Sequence, residues 1–325
     1  MLNFDRLRRI FSKRQRVAVP EYPVNILMEP TNSCNLRCRM CSVWGDGVRR
    51  KREVGFMSRE VWVAALDEIG SWPARVMVDL HGAGEPLLHP SFFDIMAYAK
   101  SKGNIGAGLL CNGMLLDADR GKALLETGAD WVGFSVDGAQ REVYEHYRRG
   151  AVLNQVEENI ERFLSMRREG RSPSVYLNMV GHEEADVELF IKRWAGKVET
   201  LMISKKKPVL REDNIPVRLR KACPLPYQQM VMGWDGHTVL CCEDCWGDYI
   251  TGKFPEEGLL DIWRGDRFNQ AREKHESGRY KAISICRTCD SSLFHRCEER
   301  VVGESDAKSH VRTELKEINT DVTGT

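Results

Sequence analysis

The 325-residue sequence contains 11 cysteines, and ten of them fall into three groups. The groups are Cys34, Cys38 and Cys41; Cys223, Cys241, Cys242 and Cys245; and Cys286, Cys289 and Cys297, whereas Cys111 stands alone. An odd number of thiols excludes complete pairing into disulfides, and proteins of reducing compartments rarely carry structural disulfides. Cysteines at such short spacing are typical of zinc or iron–sulfur ligation. The sequence therefore indicates that most of these thiols bind metal.

The first group has the spacing C-x3-C-x2-C and follows a predicted strand at 24–29. Three thiolates are an incomplete set, because a cubane iron–sulfur cluster and a structural zinc site each take four ligands. One iron of a cubane is then left without a protein ligand, and it can bind a substrate or cosubstrate. Because active sites lie in the loops that follow parallel strands, the spacing predicts a catalytic site rather than a structural one.

The segment PTNSCNLRCRMC at 30–41 resembles the signature of the radical S-adenosylmethionine (SAM) superfamily. Three later segments, each at the end of a predicted strand, agree with this family: GAGEP at 82–86, CNG at 111–113 and SVDG at 135–138. The resemblance implies that Cys34, Cys38 and Cys41 hold a [4Fe-4S] cluster whose open iron binds SAM. It also implies that the reduced cluster cleaves SAM to methionine and a 5′-deoxyadenosyl radical, which takes a hydrogen atom from a substrate carbon.

The same resemblance assigns contacts to SAM. Gly84 and Glu85 match the family's glycine-glycine-glutamate motif, in which a carboxylate holds the SAM ammonium group by a charge-assisted hydrogen bond. Ala83 replaces the first glycine of that motif.

Ser135 and Asp137 resemble the pair that contacts the ribose of SAM, although a capped strand end with an Asp-Gly turn is the alternative. Arg148 resembles an arginine that approaches the SAM carboxylate, and a solvated charge on a helix face is the alternative. For Cys111 we expect a buried thiol that packs at the end of a strand.

The later cysteines resemble the SPASM and shorter twitch extensions, which carry auxiliary iron–sulfur clusters in this superfamily. The spacing from Cys223 through Gly236 to Cys241 matches the opening of these extensions, and a Cys-x2-Cys pair supplies a second half. The resemblance implies one auxiliary [4Fe-4S] cluster on Cys223, Cys241, Cys286 and Cys289. Two complete clusters need eight thiolates, and only seven lie here. A four-thiolate zinc site is the alternative, with the ligands Cys242, Cys245, Cys286 and Cys289.

Three thiols then remain: Cys242, Cys245 and Cys297. They hold an incomplete second cluster, or they pack, or one of them faces the substrate as a hydrogen-atom donor. A donor thiol favours epimerisation, because it quenches the substrate radical from the other face. Without a donor, the auxiliary cluster takes one electron and the net reaction is an oxidation.

Strand-length apolar runs alternate with amphipathic helical segments from residue 25 to about 203, which is typical of βα units around a parallel sheet. The predicted strands are 24–29, 75–80, 106–111, 131–136, 174–180 and 200–203. Ser58 is the expected N-cap of one intervening helix, and residues 152–164 form another. We therefore predict an α/β fold: a partial (β/α)6 TIM-like barrel with a small cysteine-rich C-terminal cluster-binding domain.

The expected boundaries follow from changes in composition along the chain. They are a basic leader at 1–23, the barrel at 24–206, the auxiliary-cluster domain at 207–302 and a polar, frayed tail at 303–325. With 48 basic and 47 acidic residues, the net charge of +1 gives no general attraction to nucleic acid. No apolar run is long enough to span a membrane, so we expect a cytoplasmic protein without stable membrane insertion.

The leading hypothesis is a radical SAM enzyme that oxidises or epimerises a small polar substrate, such as a sugar, aminocyclitol or nucleoside. Such an enzyme needs an electron donor such as flavodoxin or ferredoxin. One alternative is a maturase of a ribosomal peptide, which the 33 residues before Cys34 disfavour because they are too few for a peptide-recognition domain. The other is a non-catalytic cysteine-rich zinc protein.

Overall fold

The computed structural model describes residues 18–48, 52–167, 173–181, 184–205, 222–287, 289, 296–304 and 307–315. Most of the predicted basic leader, residues 1–17, lies outside this part of the chain. The strands are β1 Asn25–Met28, β2 Val76–Asp79, β3 Ile105–Cys111, β4 Trp131–Ser135, β5 Ser174–Gly181, β6 Thr200–Lys205, β7 Gln229–Met232, β8 His237–Val239, β9 Ile250–Lys253, β10 Arg296–Glu304 and β11 Ala307–Leu315. The α-helices are α1 Arg59–Gly70, α2 Phe92–Lys100, α3 Ala118–Glu126, α4 Arg141–Tyr147, α5 Leu153–Met166, α6 Glu184–Trp194, α7 Leu225–Gln228, α8 Leu259–Arg264 and α9 Asp266–Glu276.

Strands β1 to β6 form the predicted parallel sheet, each pairing with the next in chain order. All six predicted strands are confirmed, with ends shifted by one or two residues. β1 and β6 do not pair with each other, so the barrel is partial, as predicted. This arrangement brings the loops after β1, β2, β3 and β4 to one end of the sheet, where the sequence motifs lie.

The helices cover the sheet through their apolar faces. Ser58 caps α1 as predicted, because its side chain accepts a hydrogen bond from the amide of Val61 at 3.4 Å. The predicted helix at 152–164 is α5, and its buried face includes Ile160 and Phe163. No helix in the described part of the chain has the length and apolar character needed to cross a membrane.

The C-terminal region continues the sheet beyond β1. β7 pairs with β1 in parallel, with Met230 opposite Ile26, and β8 and β9 follow in antiparallel order. The auxiliary-cluster region is therefore hydrogen-bonded directly to the strand that leads into the first cysteine group.

The expectation of a frayed tail from 303 is wrong for residues 307–315, while 316–325 lie outside the described residues. β10 and β11 form an antiparallel hairpin, and β11 pairs in parallel with β6. Among the β11 side chains that the structure describes, Ser309 and Val311 are buried and fully inaccessible to solvent. Ser309 donates to the carbonyl of Val198 and accepts from the amide of Gly196. A polar residue at one of the two buried positions hides the alternation that marks a strand.

Candidate functional site

The three thiols of the first group line one cavity of about 250 Å³ at the C-terminal ends of the strands. We call residues 30–45, which contain these thiols, the cluster loop. The residues after the next strands complete the wall of this first cavity. Its lining includes Cys34, Cys38, Cys41, Gly84, Glu85, Cys111, Asn112, Ser135, Asp137 and Arg148. Every residue predicted to hold the catalytic cluster or SAM therefore faces the same space.

Backbone amides of the cluster loop point at its sulfur atoms. The amide of Leu36 donates to Cys34 Sγ at 3.4 Å, and those of Val43 and Trp44 donate to Cys41 Sγ at 3.4 and 3.2 Å. Such donors stabilise a sulfur that carries negative charge, as a cluster ligand does. The loop is thus prepared for bound thiolates.

The cluster loop is also fixed to the segment that follows α4. The amides of Arg37 and Arg39 donate to the carbonyls of Arg149 and Tyr147 at 2.9 and 2.8 Å. A Cβ atom on Gly45 would lie 2.3 Å from the carbonyl oxygen of Cys41, so only glycine allows this return of the chain. The position of the thiols therefore depends on the segment at 147–149.

Burial raises the pKa of the Cys34 thiol to about 12, and the charges of Glu85 and of the other two thiols act in the same direction. Sulfur ligands this close together repel one another when they carry negative charge, unless positive charge lies beside them. A [4Fe-4S] cluster supplies that charge through its iron, and the donor set and the sulfur-directed amides fit it. Cys34, Cys38 and Cys41 would hold this cluster.

Glu85 is a buried residue of the wall of the first cavity. Its Oε2 accepts from the amide of Asn112 at 2.8 Å, and its Oε1 accepts from that of Leu87 at 3.3 Å. Burial raises the pKa of this carboxyl to about 7, against the hydrogen bonds from these amides. Gly84 packs directly on the cluster loop, since a Cβ there would lie 2.3 Å from the carbonyl of Ser33.

Asp137 and Arg148 were predicted as two separate contacts to SAM, and the structure brings them together as an ion pair. Nε and Nη2 of Arg148 lie 2.8 and 2.7 Å from Asp137 Oδ2, while Oδ1 accepts from the amide of Val180 at 2.8 Å. The Arg148 side chain is only 11% exposed, which contradicts a solvated charge on a helix face. Ser135 lies beside the pair at the end of β4.

In the C-terminal region the structure brings Cys223, Cys241 and Cys286 close together. Burial raises the pKa of the Cys241 thiol, and the nearby thiols of Cys242, Cys286 and Cys223 add to that effect. Cys289 is half-buried. Among the described residues, no three His, Cys, Asp or Glu side chains converge as ligands of a single metal ion. That finding applies equally to the thiols of the expected auxiliary cluster and to those of the alternative zinc site.

His275 is a neighbour of these thiols that the sequence reasoning missed. Its Nε2 lies 3.4 Å from Cys286 Sγ, and its Nδ1 accepts from the amide of Cys223 at 3.5 Å. The histidine belongs to no recognisable motif with either cysteine, and only the packing of α9 brings it to this position.

A second cavity of about 380 Å³ adjoins the first, and His81, Gly82 and Ala83 form part of both walls. Cys242 and Cys245 line the second cavity. Cys245 Sγ lies 3.6 Å from the hydroxyl of Ser42 in the cluster loop. Cys297 belongs to β10, but its side chain lies outside the described residues.

The second cavity also contains a largely half-buried charge network that the sequence did not predict. Arg52 pairs with Glu29 at 3.1 Å and with Asp235 at 3.5 Å. Glu29 accepts a further hydrogen bond from the amide of Ala83 at 2.8 Å, and Asp235 pairs with His237 at 3.1 Å. This network connects the end of β1 with the hairpin between β7 and β8.

Comparisons with known proteins agree with this geometry. A model of the radical SAM superfamily matches residues 28–193, and a model of the SPASM iron–sulfur cluster-binding domain matches residues 223–290. A tungsten-containing aldehyde ferredoxin oxidoreductase cofactor-modifying protein from Pyrococcus furiosus is 27% identical, over 83% of this chain and 88% of that protein. An S-adenosyl-L-methionine-dependent 2-deoxy-scyllo-inosamine dehydrogenase from Niallia circulans is 21% identical, over 82% and 92%.

Two solved structures share the fold. BtrN in complex with AdoMet and 2-DOIA has a TM-score of 0.57 at 19% identity, covering 83% of this chain and 93% of BtrN. SuiB of Streptococcus suis bound to the precursor peptide SuiA has a TM-score of 0.63 at 12% identity, covering 90% and 78%. At these identities the likeness concerns the fold alone.

Proposed function

Because this chain belongs to the radical SAM superfamily and carries a C-terminal SPASM domain, we propose that it is an oxidoreductase or epimerase acting on a small polar substrate in the second cavity. When bound in the first cavity, the [4Fe-4S] cluster and SAM supply the one-electron chemistry that removes a hydrogen atom from carbon. An external electron donor such as flavodoxin or ferredoxin provides the electron.

The contact between the two cavities is the observation that carries this proposal. His81, Gly82 and Ala83 line both of them, so a molecule in the second cavity lies directly beside the SAM site. A volume of about 380 Å³ fits a small metabolite. The charged network of Glu29, Arg52 and Asp235 favours a polar substrate with hydroxyl or amino groups over an apolar one.

The residues of the first cavity take separate tasks in this proposal. Glu85 accepts the SAM ammonium group, for which its carboxyl must be ionised. Asp137, already held by Arg148 and the Val180 amide, offers its remaining lone pairs to the ribose hydroxyls. Ser135 lies beside it for the same purpose, and the Arg148 guanidinium faces the SAM carboxylate.

The outcome of the reaction depends on whether the substrate radical receives a hydrogen atom from a thiol or gives an electron to the auxiliary cluster. Of the three remaining cysteines, Cys245 is the one we assign as hydrogen-atom donor in an epimerisation, because it is half-buried on the wall of the second cavity beside Ser42. Its sulfur is then restored by one electron and one proton from the external reductant. In an oxidation, the substrate instead loses a proton and passes one electron to the auxiliary cluster.

A second candidate function is the modification of an organic cofactor. The relative from Pyrococcus furiosus is a cofactor-modifying protein, and the match covers 83% of this chain and 88% of that protein. This candidate uses the same site and differs only in the substrate.

Anaerobic reconstitution with iron and sulfide, followed by reduction in the presence of SAM, tests the proposal. We expect 5′-deoxyadenosine to form, and to form faster with a substrate from a panel of amino sugars, aminocyclitols and nucleosides. Deuterium at the reacting carbon should appear in 5′-deoxyadenosine. No 5′-deoxyadenosine from a fully iron-loaded, reduced protein would refute the proposal.

The same assay in deuterated water separates the two outcomes. Epimerisation through an exchangeable thiol places one solvent deuterium on the substrate carbon, and the Cys245→Ala variant abolishes that incorporation while hydrogen abstraction continues. Oxidation gives a product that has lost two hydrogens, and the variant leaves it unchanged. Cys242→Ala is the matched control, since this neighbouring thiol lines the same cavity.

A further inference from the structure

His275 lies in the last turn of α9 and is 8% exposed. Its ring stacks on Tyr280 with centroids 6.1 Å apart, which fixes the plane of the imidazole. Each of its two ring nitrogens lies within hydrogen-bonding distance of a different residue in the expected ligand set of the auxiliary cluster, namely Cys223 and Cys286.

These two contacts decide which ring nitrogen carries the proton. A backbone amide only donates, so Nδ1 of His275 must accept from the Cys223 amide. In a neutral imidazole the proton then resides on Nε2, and this N–H points at Cys286 Sγ over 3.4 Å. In this tautomer Nε2 donates a hydrogen bond to the sulfur, so Nε2 has no lone pair with which to bind a metal.

We propose that His275 is a positioning residue of the auxiliary cluster, which fixes the Cys286 sulfur by donating a hydrogen bond from Nε2 and makes the cluster easier to reduce. The single imidazole also connects two distant segments, the one before α7 and the turn after α9. The proposal depends on Cys286 as a cluster ligand but not on the substrate.

A hydrogen bond to a ligand sulfur raises the midpoint potential of a cluster for an electrostatic reason. Adding an electron to an iron–sulfur cluster increases the negative charge on its sulfur ligands, and a hydrogen-bond donor stabilises that charge. The reduced form gains more from the bond than the oxidised form, so the midpoint potential rises. A higher potential suits a cluster that accepts an electron from a substrate radical, as the oxidation outcome requires.

The test measures the auxiliary cluster by itself. In the full chain carrying Cys34→Ala, Cys38→Ala and Cys41→Ala, the catalytic cluster is absent and an EPR-monitored redox titration reports the auxiliary one. We expect His275→Phe, which keeps a ring but removes the donor, to shift the midpoint potential to a lower value. His275→Gln, whose amide still donates, should recover part of that shift. The control His310→Phe changes a half-exposed histidine paired with Glu299 and should leave the potential unchanged.

Several results would overturn the proposal. One is an unchanged potential in His275→Phe at full iron content, because the hydrogen bond then has no effect on the cluster. If His275→Phe does not load iron, pulsed EPR of the ¹⁵N-histidine-labelled protein decides. A weak nitrogen coupling together with an exchangeable proton near the cluster supports the hydrogen bond, whereas a coupling of the strength of direct ligation, or none, contradicts it. None of these readouts requires turnover, so a wrong substrate assignment and a wrong role for His275 remain distinguishable.

Discussion

The two thiol sites of this molecule are built in opposite ways. Cys34, Cys38 and Cys41 come from one short loop whose own amides point at the sulfurs. Cys223 and Cys286, by contrast, come from segments far apart in the chain and meet through the packing of α7 and α9. A loop supplies three ligands and leaves one position open for a cosubstrate, whereas a site assembled from distant segments suits a fully ligated cluster.

Because of this difference, we expect the loop cluster to affect mainly the reaction and the assembled cluster to affect the stability of the fold as well. Loss of a cluster from a self-contained loop removes the chemistry but leaves the sheet paired. Loss of a cluster that ties distant segments together also removes a cross-link from the fold, because metal-binding free energy contributes to folding free energy. Removal of the first cluster should therefore abolish activity, whereas removal of the auxiliary cluster should also lower the stability of the fold.

The largest expected effect is that of replacing Cys34, Cys38 and Cys41 by alanine. We expect formation of 5′-deoxyadenosine to stop completely and the iron content to fall by about 4 atoms per chain, because the SAM-binding cluster is lost. Chromatographic assay and iron analysis of the reconstituted protein measure both quantities. The EPR signal of the auxiliary cluster should persist. A variant that keeps the iron content of the parent protein would show that these thiols are not the ligands.

The next effect compares two adjacent cysteines of the C-terminal region. Cys241→Ser should remove the auxiliary cluster and lower the melting temperature, because this buried thiol lies beside Cys223 and Cys286. Cys242→Ser should keep the iron, because that thiol is exposed. Iron analysis and thermal unfolding under anaerobic conditions measure the difference. Equal iron loss in both variants would contradict the assignment of a single, fully ligated cluster.

The sequence predicts the loop site better than the assembled one, for a physical reason. The motif C-x3-C-x2-C is local, and the six strands around it alternate regularly with helices. Both the motif and the alternation can therefore be recognised in the sequence. His275 and the Arg52 network depend on contacts between residues far apart in sequence, which no local pattern records. Ser309 in β11 shows the same limit, since a buried serine interrupts the apolar alternation of a strand that lies between β10 and β6.

The Asp137–Arg148 pair shows a further limit of sequence reasoning. The resemblance assigns a SAM contact to each residue separately, and in the structure both line the first cavity. Their mutual pairing follows from the approach of the β4 end to the segment after α4, so it emerges only in the folded chain. Each residue consequently supports the other as well as facing the SAM site.

Breaking that pair should reduce stability and disturb only the loop site. Asp137→Asn leaves the buried Arg148 charge without its partner, and we expect the free energy of unfolding to fall by about 3–5 kcal/mol. Urea unfolding measures it, and SAM affinity should fall in the same variant because Arg148 lies within the segment at 147–149 that fixes the cluster loop. The control Glu273→Gln removes an exposed pair with Arg279 and should cost under about 1 kcal/mol. An equally small effect of Asp137→Asn would show that the pair does not stabilise the cluster loop.

The smallest expected effect concerns the charge of Glu85 and depends on pH. Burial raises the pKa of this carboxyl from 4.5 to about 7, so the group is neutral in the folded protein below about pH 7. The folded state then binds a proton that the unfolded state has released, and the contribution of Glu85 to folding stability declines as pH rises from 4.5 through 7. The SAM ammonium group requires the ionised form, so SAM affinity should rise as pH increases through 7. The Glu85→Gln variant loses one charge-assisted hydrogen bond to SAM, which is worth about 1.5–3 kcal/mol. We therefore expect this variant to bind SAM roughly 10- to 100-fold more weakly above about pH 7, and its SAM affinity to depend little on pH. Equilibrium binding of SAM across this range measures both effects, with the exposed Glu126→Gln as control. A Glu85→Gln variant that keeps the pH dependence of the parent protein would place the titrating group elsewhere and contradict the assignment of Glu85 as the carboxylate that holds the SAM ammonium group.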